Sequence, residues 1–274
     1  MTKNLLKHMM MKPEDKVEIL DTEALINKIN SGYIAKRENK HQIKKTFAPS
    51  TLVWNHGECA RYWYLAFEGN IFENTDTPYS VANMTAGTKS HDRIQQALLD
   101  SEVAISYIDE KTGEPTTEFK VINDDPPIFG YGDAMLNWEN EEIVGEIKTM
   151  SSDAFEYHKL HGKPKLSNVM QLLIYMKILK KSKGVLIYEN KNNHDIILFP
   201  IEVNDHYIKW IETTFDWMRR VRKSWKDKQI PQKNYRSNSK ICKACPLKTA
   251  CALAEPGTVK IEPMEKLSEA VSTM

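Results

Sequence analysis

Apolar positions recur at helical spacing in some stretches of this chain and alternate at strand spacing in others, and the two kinds of stretch take turns. Residues 21–29 read as a short helix capped by Asp21-Thr22, with Leu25, Ile26 and Ile29 as its apolar stripe and Gly32 ending it. Ser50, after Pro49, is a good cap for a helix over 50–65 that carries Trp54, Cys59, Tyr62, Trp63 and Leu65. Another helix spans 80–99, with Thr85 or Thr88 as its cap, Ile94, Ala97 and Leu98 facing inward, and His91 one turn inside. Residues 102–108 and 117–122 read as strands joined by the turn 109–113. Pro126-Pro127 then breaks the chain before two short apolar runs, 130–136 and 144–148, which read as a hairpin turning at 137–142. A helix over 167–180, capped by Ser167, is apolar almost all round, as expected of a helix buried against a sheet. Strands at 184–189 and 196–203 follow. A long helix over 206–228 then carries Ile208, Ile211, Phe215, Met218, Val221 and Trp225 at helical spacing.

This order predicts an α/β protein, a mixed sheet flanked by helices, with no internal repeat. Its 274 residues suffice for one large domain, alone or with a satellite. Four segments are expected: an N-terminal extension over 1–47 that ends in a basic linker, a core over 48–228, a cysteine-bearing segment over 229–255 and a tail over 256–274. The first twenty or so residues and the tail are expected to be loose.

Charge and cysteine content narrow the picture. Lys and Arg total 38 against 37 Asp and Glu, so any nucleic-acid surface must be local. The densest basic cluster, Arg219 to Lys223, ends the last long helix, where the helix dipole favours cations without any nucleic acid. No stretch is long and apolar enough to span a membrane, and the start lacks the apolar core of a signal peptide. A cytoplasmic protein is expected, in the host cell's cytoplasm if the source is viral. Cys59 stands alone, while Cys242, Cys245 and Cys251 form a C-x2-C-x5-C group. In a reducing compartment that placement suggests metal ligands before disulfides. A lone buried cysteine ordinarily packs as a small apolar residue. Three cysteines lacking a fourth partner turn Cys59 toward a ligand's role.

The candidate chemistry centres on the 130–136 and 144–148 runs. Asp133 projects from the first, and Glu146 and Lys148 stand two apart on the second, which places both on one face of a strand. Two carboxylates and an ammonium converging on one point are costly unless a cation binds there, and Mg²⁺ or Mn²⁺ would suit. Such a set matches hydrolytic metal chemistry, with Lys148 positioning water or steadying transition-state charge. Gln171 and Tyr175 lie four apart on one stripe of the buried helix, where polar groups need partners. An internal hydrogen bond would satisfy them as well as a catalytic role. His91 alone would ordinarily be structural, and the downstream carboxylates make it a ligand candidate.

With these pieces in order, the chain resembles the PD-(D/E)XK nuclease superfamily, and more narrowly the RecB-like exonucleases that carry an iron–sulfur cluster. These include the CRISPR-associated adaptation nucleases and the nuclease of AddB-type helicase subunits. The resemblance covers roughly residues 48–255 and rests on Cys59, His91, Gly130 to Asp133, Glu146 to Lys148, Gln171 with Tyr175, and Cys242, Cys245 and Cys251. It implies a restriction-endonuclease-like core and a small cysteine-clamped iron–sulfur lobe built from both chain ends, with the Cys59 helix belonging to that lobe. It assigns His91, Asp133, Glu146 and the Ile147 backbone carbonyl to Mg²⁺ or Mn²⁺, with Lys148, Gln171 and Tyr175 completing the catalytic set. Cys59, Cys242, Cys245 and Cys251 would hold a [4Fe–4S] cluster; four thiolates also suit Zn²⁺. The implied function is metal-dependent exonucleolytic hydrolysis of DNA, on single strands or frayed ends, in recombination, repair, DNA processing or CRISPR-type adaptation. The alternatives are a catalytically silent DNA-binding adaptor with the same fold, or an endonuclease. No G-x4-G-K-[ST] occurs, so the chain would act alone, as a homo-oligomer, or beside a helicase or a recombination or adaptation protein.

Overall fold

The computed structural model describes residues 20–268; what is expected of residues 1–19 and 269–274 lies outside them. The chain divides into two compact units, Met1–Arg37 with Asp76–Asn83 and Glu38–Thr75 with Met84–Met274.

In the first unit, helix α1 (Thr22–Ile34) is capped as predicted, Asp21 accepting the Ala24 N–H at 2.9 Å. It runs past Gly32, and its stripe Leu25, Ile26 and Ile29 is exposed rather than buried.

The other helices in chain order are α2 (Pro49–Leu52), α3 (Ala60–Phe67), α4 (Pro78–Asp100), α5 (Ser152–His161), α6 (Leu166–Leu179), α7 (Asp205–Lys226), α8 (Lys240–Lys243) and α9 (Lys248–Leu253). The strands are β1 (Lys40–His41), β2 (Ile71–Phe72), β3 (Tyr107–Ile108), β4 (Pro115–Thr116), β5 (Phe119–Asn123), β6 (Ile128–Gly132), β7 (Ala134–Trp138), β8 (Glu141–Met150), β9 (Lys183–Asn190) and β10 (Ile196–Glu202).

A mixed four-stranded sheet in the order β10-β9-β8-β7 forms the centre of the second unit, as the α/β reading expects. β7 and β8 form the predicted antiparallel hairpin, longer than expected. Its turn is only Glu139-Asn140, both at positive φ (53° and 64°), the two-residue turn that follows the twist of paired strands. β8 and β9 are parallel and joined by a crossover through α5 and α6. α6 packs on β8 and β9 and is buried from Asn168 to Met176. On the opposite face Ile94 of α4 joins Ala134, Leu136, Ile147 and Ile187 in a second, smaller core, while Ala97 stays exposed. α7 packs on α3, where Phe47 lies 4.8 Å from Trp63 and 6.5 Å from Trp217 between ring centroids.

Several expected elements take another form. The 50–65 helix is three pieces: α2, with Pro49 as its first residue and Ser50 inside its first turn, a 3-10 turn at Asn55–Glu58, and α3. Trp54 is extended (ψ 156°), which ends helical continuity, and Cys59 is extended too, preceding α3 instead of lying within a helix. Thr85 and Thr88 lie inside α4. Its start is fixed by Thr77 and Ser80, whose backbone N–H groups bond each other's hydroxyls at 2.8 and 3.1 Å ahead of Pro78. Ser167 likewise falls inside α6, whose cap position is Lys165, held by the Tyr188 hydroxyl at 3.0 Å. The 102–108 strand shortens to β3. Residues 103–105 instead pair along the edge of β7, Ile105 N–H to Met135 and Val103 carbonyl from Asn137, each at 2.8 Å.

Three members of the basic cluster at the end of α7, Arg219, Arg222 and Lys223, have partners within the chain, Lys223 pairing with Asp227. Arg219 pairs with Asp125 at 2.8 Å and Asp216 at 2.7 Å, and Arg222 lies 4.0 Å over the Trp225 ring. Residues 256–268 are not loose. The Trp210 and Trp217 indole N–H groups donate to the Glu265 and Glu262 carbonyls at 2.9 and 2.8 Å, and Ile261, Met264 and Leu267 are buried.

Candidate active site

Asp133 sits at the joint between β6 and β7, and the glycines before it have steric reasons to be glycines. A Cβ on Gly132 would stand 2.4 Å from the Phe119 ring, and one on Gly130 would stand 3.1 Å from the Tyr175 hydroxyl. The Asp133 carbonyl accepts the Thr117 hydroxyl at 2.6 Å and the Gln95 amide at 3.0 Å. Its carboxylate accepts the Ile147 N–H at 2.7 Å and lies 3.8 Å from His91 Nδ1. N–H and C=O of one strand residue point the same way, so the Ile147 carbonyl is also turned toward the Asp133 edge.

Glu146 is fully buried. Its Oε1 accepts both the Lys148 ammonium, two residues on and on the same face, and the Gln171 amide at 2.6 Å. Its Oε2 is buried without a partner. Burial, and after it the Asp133 charge, push the Glu146 carboxyl up to about 8. For Lys148, burial opposes the ammonium, but Glu146 and Asp133 outweigh it and hold the group above its ordinary value. Gln171 also reaches the Tyr175 hydroxyl at 3.4 Å, and burial, then Glu146, keeps that phenol neutral by raising its pKa.

The structure therefore brings together His91, Asp133, Glu146, Ile147, Lys148, Gln171 and Tyr175. Residues the sequence reading did not single out complete the set. Gln95 follows His91 by four and faces the same joint, a helical spacing that could have signalled it. Thr117 and Glu118 enter from the stretch before β5; burial first, then Asp133, raise the Glu118 carboxyl, which also bonds Gln95. Nothing in the local pattern marks that pair. On the other sheet face the buried Glu189 accepts from Arg93, with His194 at 3.3 Å.

All four cysteines are free thiols and line one cavity of about 310 Å³, with His56, Tyr62, Tyr235 and Lys248 also on its wall. Cys59 arrives just ahead of α3, Cys242 and Cys251 from α8 and α9, and Cys245 between them. Burial pushes the Cys59 thiol up to about 11 and the Cys245 thiol up to about 12, so thiolates there need a positive partner. Among the described residues no three His, Cys, Asp or Glu side chains are already gathered at metal-holding geometry. The donors that could hold a divalent cation are Glu146 Oε2, the Asp133 carboxylate, His91 and the Ile147 carbonyl. Those that could hold a cluster or Zn²⁺ are the four thiols.

No family model matches the chain, and no curated protein matches it. Among solved structures, that of SSO0001 is 19% identical over 88% of this chain and 100% of its own, with a TM-score of 0.38. The alkaline exonuclease LHK-Exo from Laribacter hongkongensis is 14% identical over 72% of this chain and 95% of its own, with a TM-score of 0.46. LHK-Exo in complex with dAMP gives 15%, 76%, 95% and 0.46. No helix among the described residues is long and apolar enough to cross a membrane.

Proposed function

We propose that the protein is a metal-dependent deoxyribonuclease of the PD-(D/E)XK kind, removing nucleotides from single-stranded or frayed DNA ends. The observation that carries this reading is the state of Glu146. One of its oxygens is held by Lys148 and Gln171, while the other is buried, without a donor, in the neighbourhood of Asp133. A buried carboxylate oxygen with no donor is expensive as it stands and becomes favourable once a cation faces it. Glu146, Asp133, the Ile147 carbonyl and His91 would hold Mg²⁺ or Mn²⁺, a hard cation with oxygen donors and one imidazole. Such an ion supplies charge neutralisation at the attacked phosphate.

The chain's own groups do the rest. The Lys148 ammonium, fixed on Glu146, orients the attacking water and offsets charge that develops on the phosphate oxygens. Gln171 keeps Glu146 in one rotamer, and Tyr175, neutral and almost wholly buried, braces Gln171. Gln95 and Thr117 fix the Asp133 backbone, so its carboxylate is aimed before any ligand arrives. The four thiols would hold a [4Fe–4S] cluster, or Zn²⁺, that fastens the C-terminal segment to the residue preceding α3.

The test is a time course on end-labelled linear DNA beside covalently closed circles, with Mg²⁺ or Mn²⁺, for wild type and Glu146→Ala. Loss of linear DNA alone, abolished by the substitution, is the expected result. Cutting of circles would make the protein an endonuclease. DNA binding without any cleavage by the metal-loaded wild type would overturn the nuclease reading and leave an adaptor.

A further inference from the structure

Beside Lys148 and Gln171 opens a cleft of about 700 Å³. Its charged lining has one sign: Lys148, Lys165 and Lys266, with His158, and no aspartate or glutamate among the described residues. In a chain of 38 basic and 37 acidic residues this is the local basic surface that overall composition cannot supply. Lys266 shares its charge with Glu58 at 2.8 Å, whereas Lys165 is exposed and in no ion pair among the described residues.

An indole stands at the same cleft. Trp54 is 65% exposed, while Trp63, Trp210 and Trp217 are buried. Its backbone is held on both sides, N–H to Thr51 at 3.1 Å and carbonyl from Gly57 at 2.8 Å, so the ring is presented from a fixed base. α6 begins at the same wall, with Lys165, Leu166 and Ser167 lining the cleft and no side chain capping its first turn. The Lys165 N–H is taken by the Tyr188 hydroxyl and the Asn168 N–H by the Lys165 carbonyl, so the Leu166 and Ser167 N–H groups, with the positive end of the helix, are what this terminus offers a phosphate. A fixed exposed aromatic beside cations is the arrangement that holds single-stranded nucleic acid, because every unpaired base offers a face to stack.

We propose that this cleft seats a single-stranded polynucleotide end, with one base stacked on Trp54 and the adjoining phosphates on Lys165, Lys266 and the start of α6. The proposal rests on the nuclease reading only in taking Lys148 to mark the scissile phosphate. It makes the preferred substrate an unpaired end, since bases within a duplex are stacked on both faces and leave the indole none.

Binding of a short fluorescein-labelled oligodeoxythymidylate, followed by anisotropy in chelator, tests it beside a blunt-ended hairpin duplex. Trp54→Ala should weaken single-strand binding about tenfold with the duplex unaffected, and Trp54→Phe should recover most of the loss. Lys165→Ala should flatten the dependence of log affinity on log salt by about 0.7. Equal single-strand affinity in wild type and Trp54→Ala, or equal loss on both probes, would overturn the proposal. The two readings fail separately. A wild type that cleaves nothing but shows this binding pattern loses the nuclease reading and keeps the seat. A wild type that cleaves linear DNA with the same KM as Trp54→Ala keeps the nuclease reading and loses the seat.

Discussion

Replacing Arg61 by alanine should loosen the C-terminal segment from the core. The Arg61 guanidinium is buried and forks onto four carbonyls of that segment, Pro231 at 2.9 Å, Cys251 at 3.5 Å, Ala254 at 3.2 Å and Glu255 at 2.7 Å. Truncation strands the buried Pro231 carbonyl, while the part-buried Ala254 and Glu255 carbonyls lose a charged donor that water replaces only in part. Hydrogen bonds from a charged donor contribute about 1.5–3 kcal/mol each. Against them stand about 2 kcal/mol for freezing an arginine side chain and the desolvation of the guanidinium, whose Nε has no acceptor. The net loss should be about 2–4 kcal/mol, the cost of leaving neutral acceptors without their charged donor. For a chain of this size that lowers Tm by roughly 10 °C. Urea unfolding followed by circular dichroism, with limited trypsin digestion, gives the readout: a lower midpoint and early cuts after residue 229. Arg61→Lys keeps the charge but not the fork, and should recover only part of the loss. A loss under about 1 kcal/mol, the size of an ordinary substitution, with an unchanged digestion pattern, would refute the clamp.

Three further outcomes follow from the geometry. Gly132→Ala forces a methyl to 2.4 Å from the Phe119 ring next to Asp133, which should cost about 1–3 kcal/mol of stability and lower activity as well; an unchanged melting temperature would show that the ring yields freely. Gln171→Ala removes the amide that fixes Glu146 Oε1 and should reduce kcat or raise the half-saturating Mn²⁺ about 10- to 100-fold, and titration of activity with Mn²⁺ that leaves both values unchanged would remove Gln171 from the site. Cys245→Ala should bleach the visible absorption of anaerobically purified protein and lower its Tm, while a colourless wild type with stoichiometric zinc would assign the four thiols to Zn²⁺ and not to iron–sulfur.

What the sequence made legible, and what it hid, follows the range of the interactions. Glu146 and Lys148 were readable because the two-residue repeat of a strand puts them on one face, and Gln171 with Tyr175 because four residues make about one turn of a helix. The buried α6, the β7–β8 hairpin and the long α7 announce themselves through periodicity and turn residues alone. The hidden part is polar and non-local. Arg61 meets acceptors 170 residues and more downstream, and Thr117 reaches the Asp133 carbonyl from 16 residues away. No repeat encodes such pairs. The broken 50–65 helix misleads for a related reason: α2 and α3 on either side of the 3-10 turn both bury apolar residues, so the stretch keeps a helix-like pattern while Trp54 and Cys59 leave the helix. Those two departures put Trp54 on the cleft beside Lys148 and Cys59 on the cavity shared with Cys242, Cys245 and Cys251. Had the helix been continuous, neither residue would have the extended backbone that places it there. The irregular stretch is therefore where the fold departs from its local pattern to line both the proposed single-strand seat and the cysteine cavity, and the Trp54 substitutions test the first of these without touching the carboxylates.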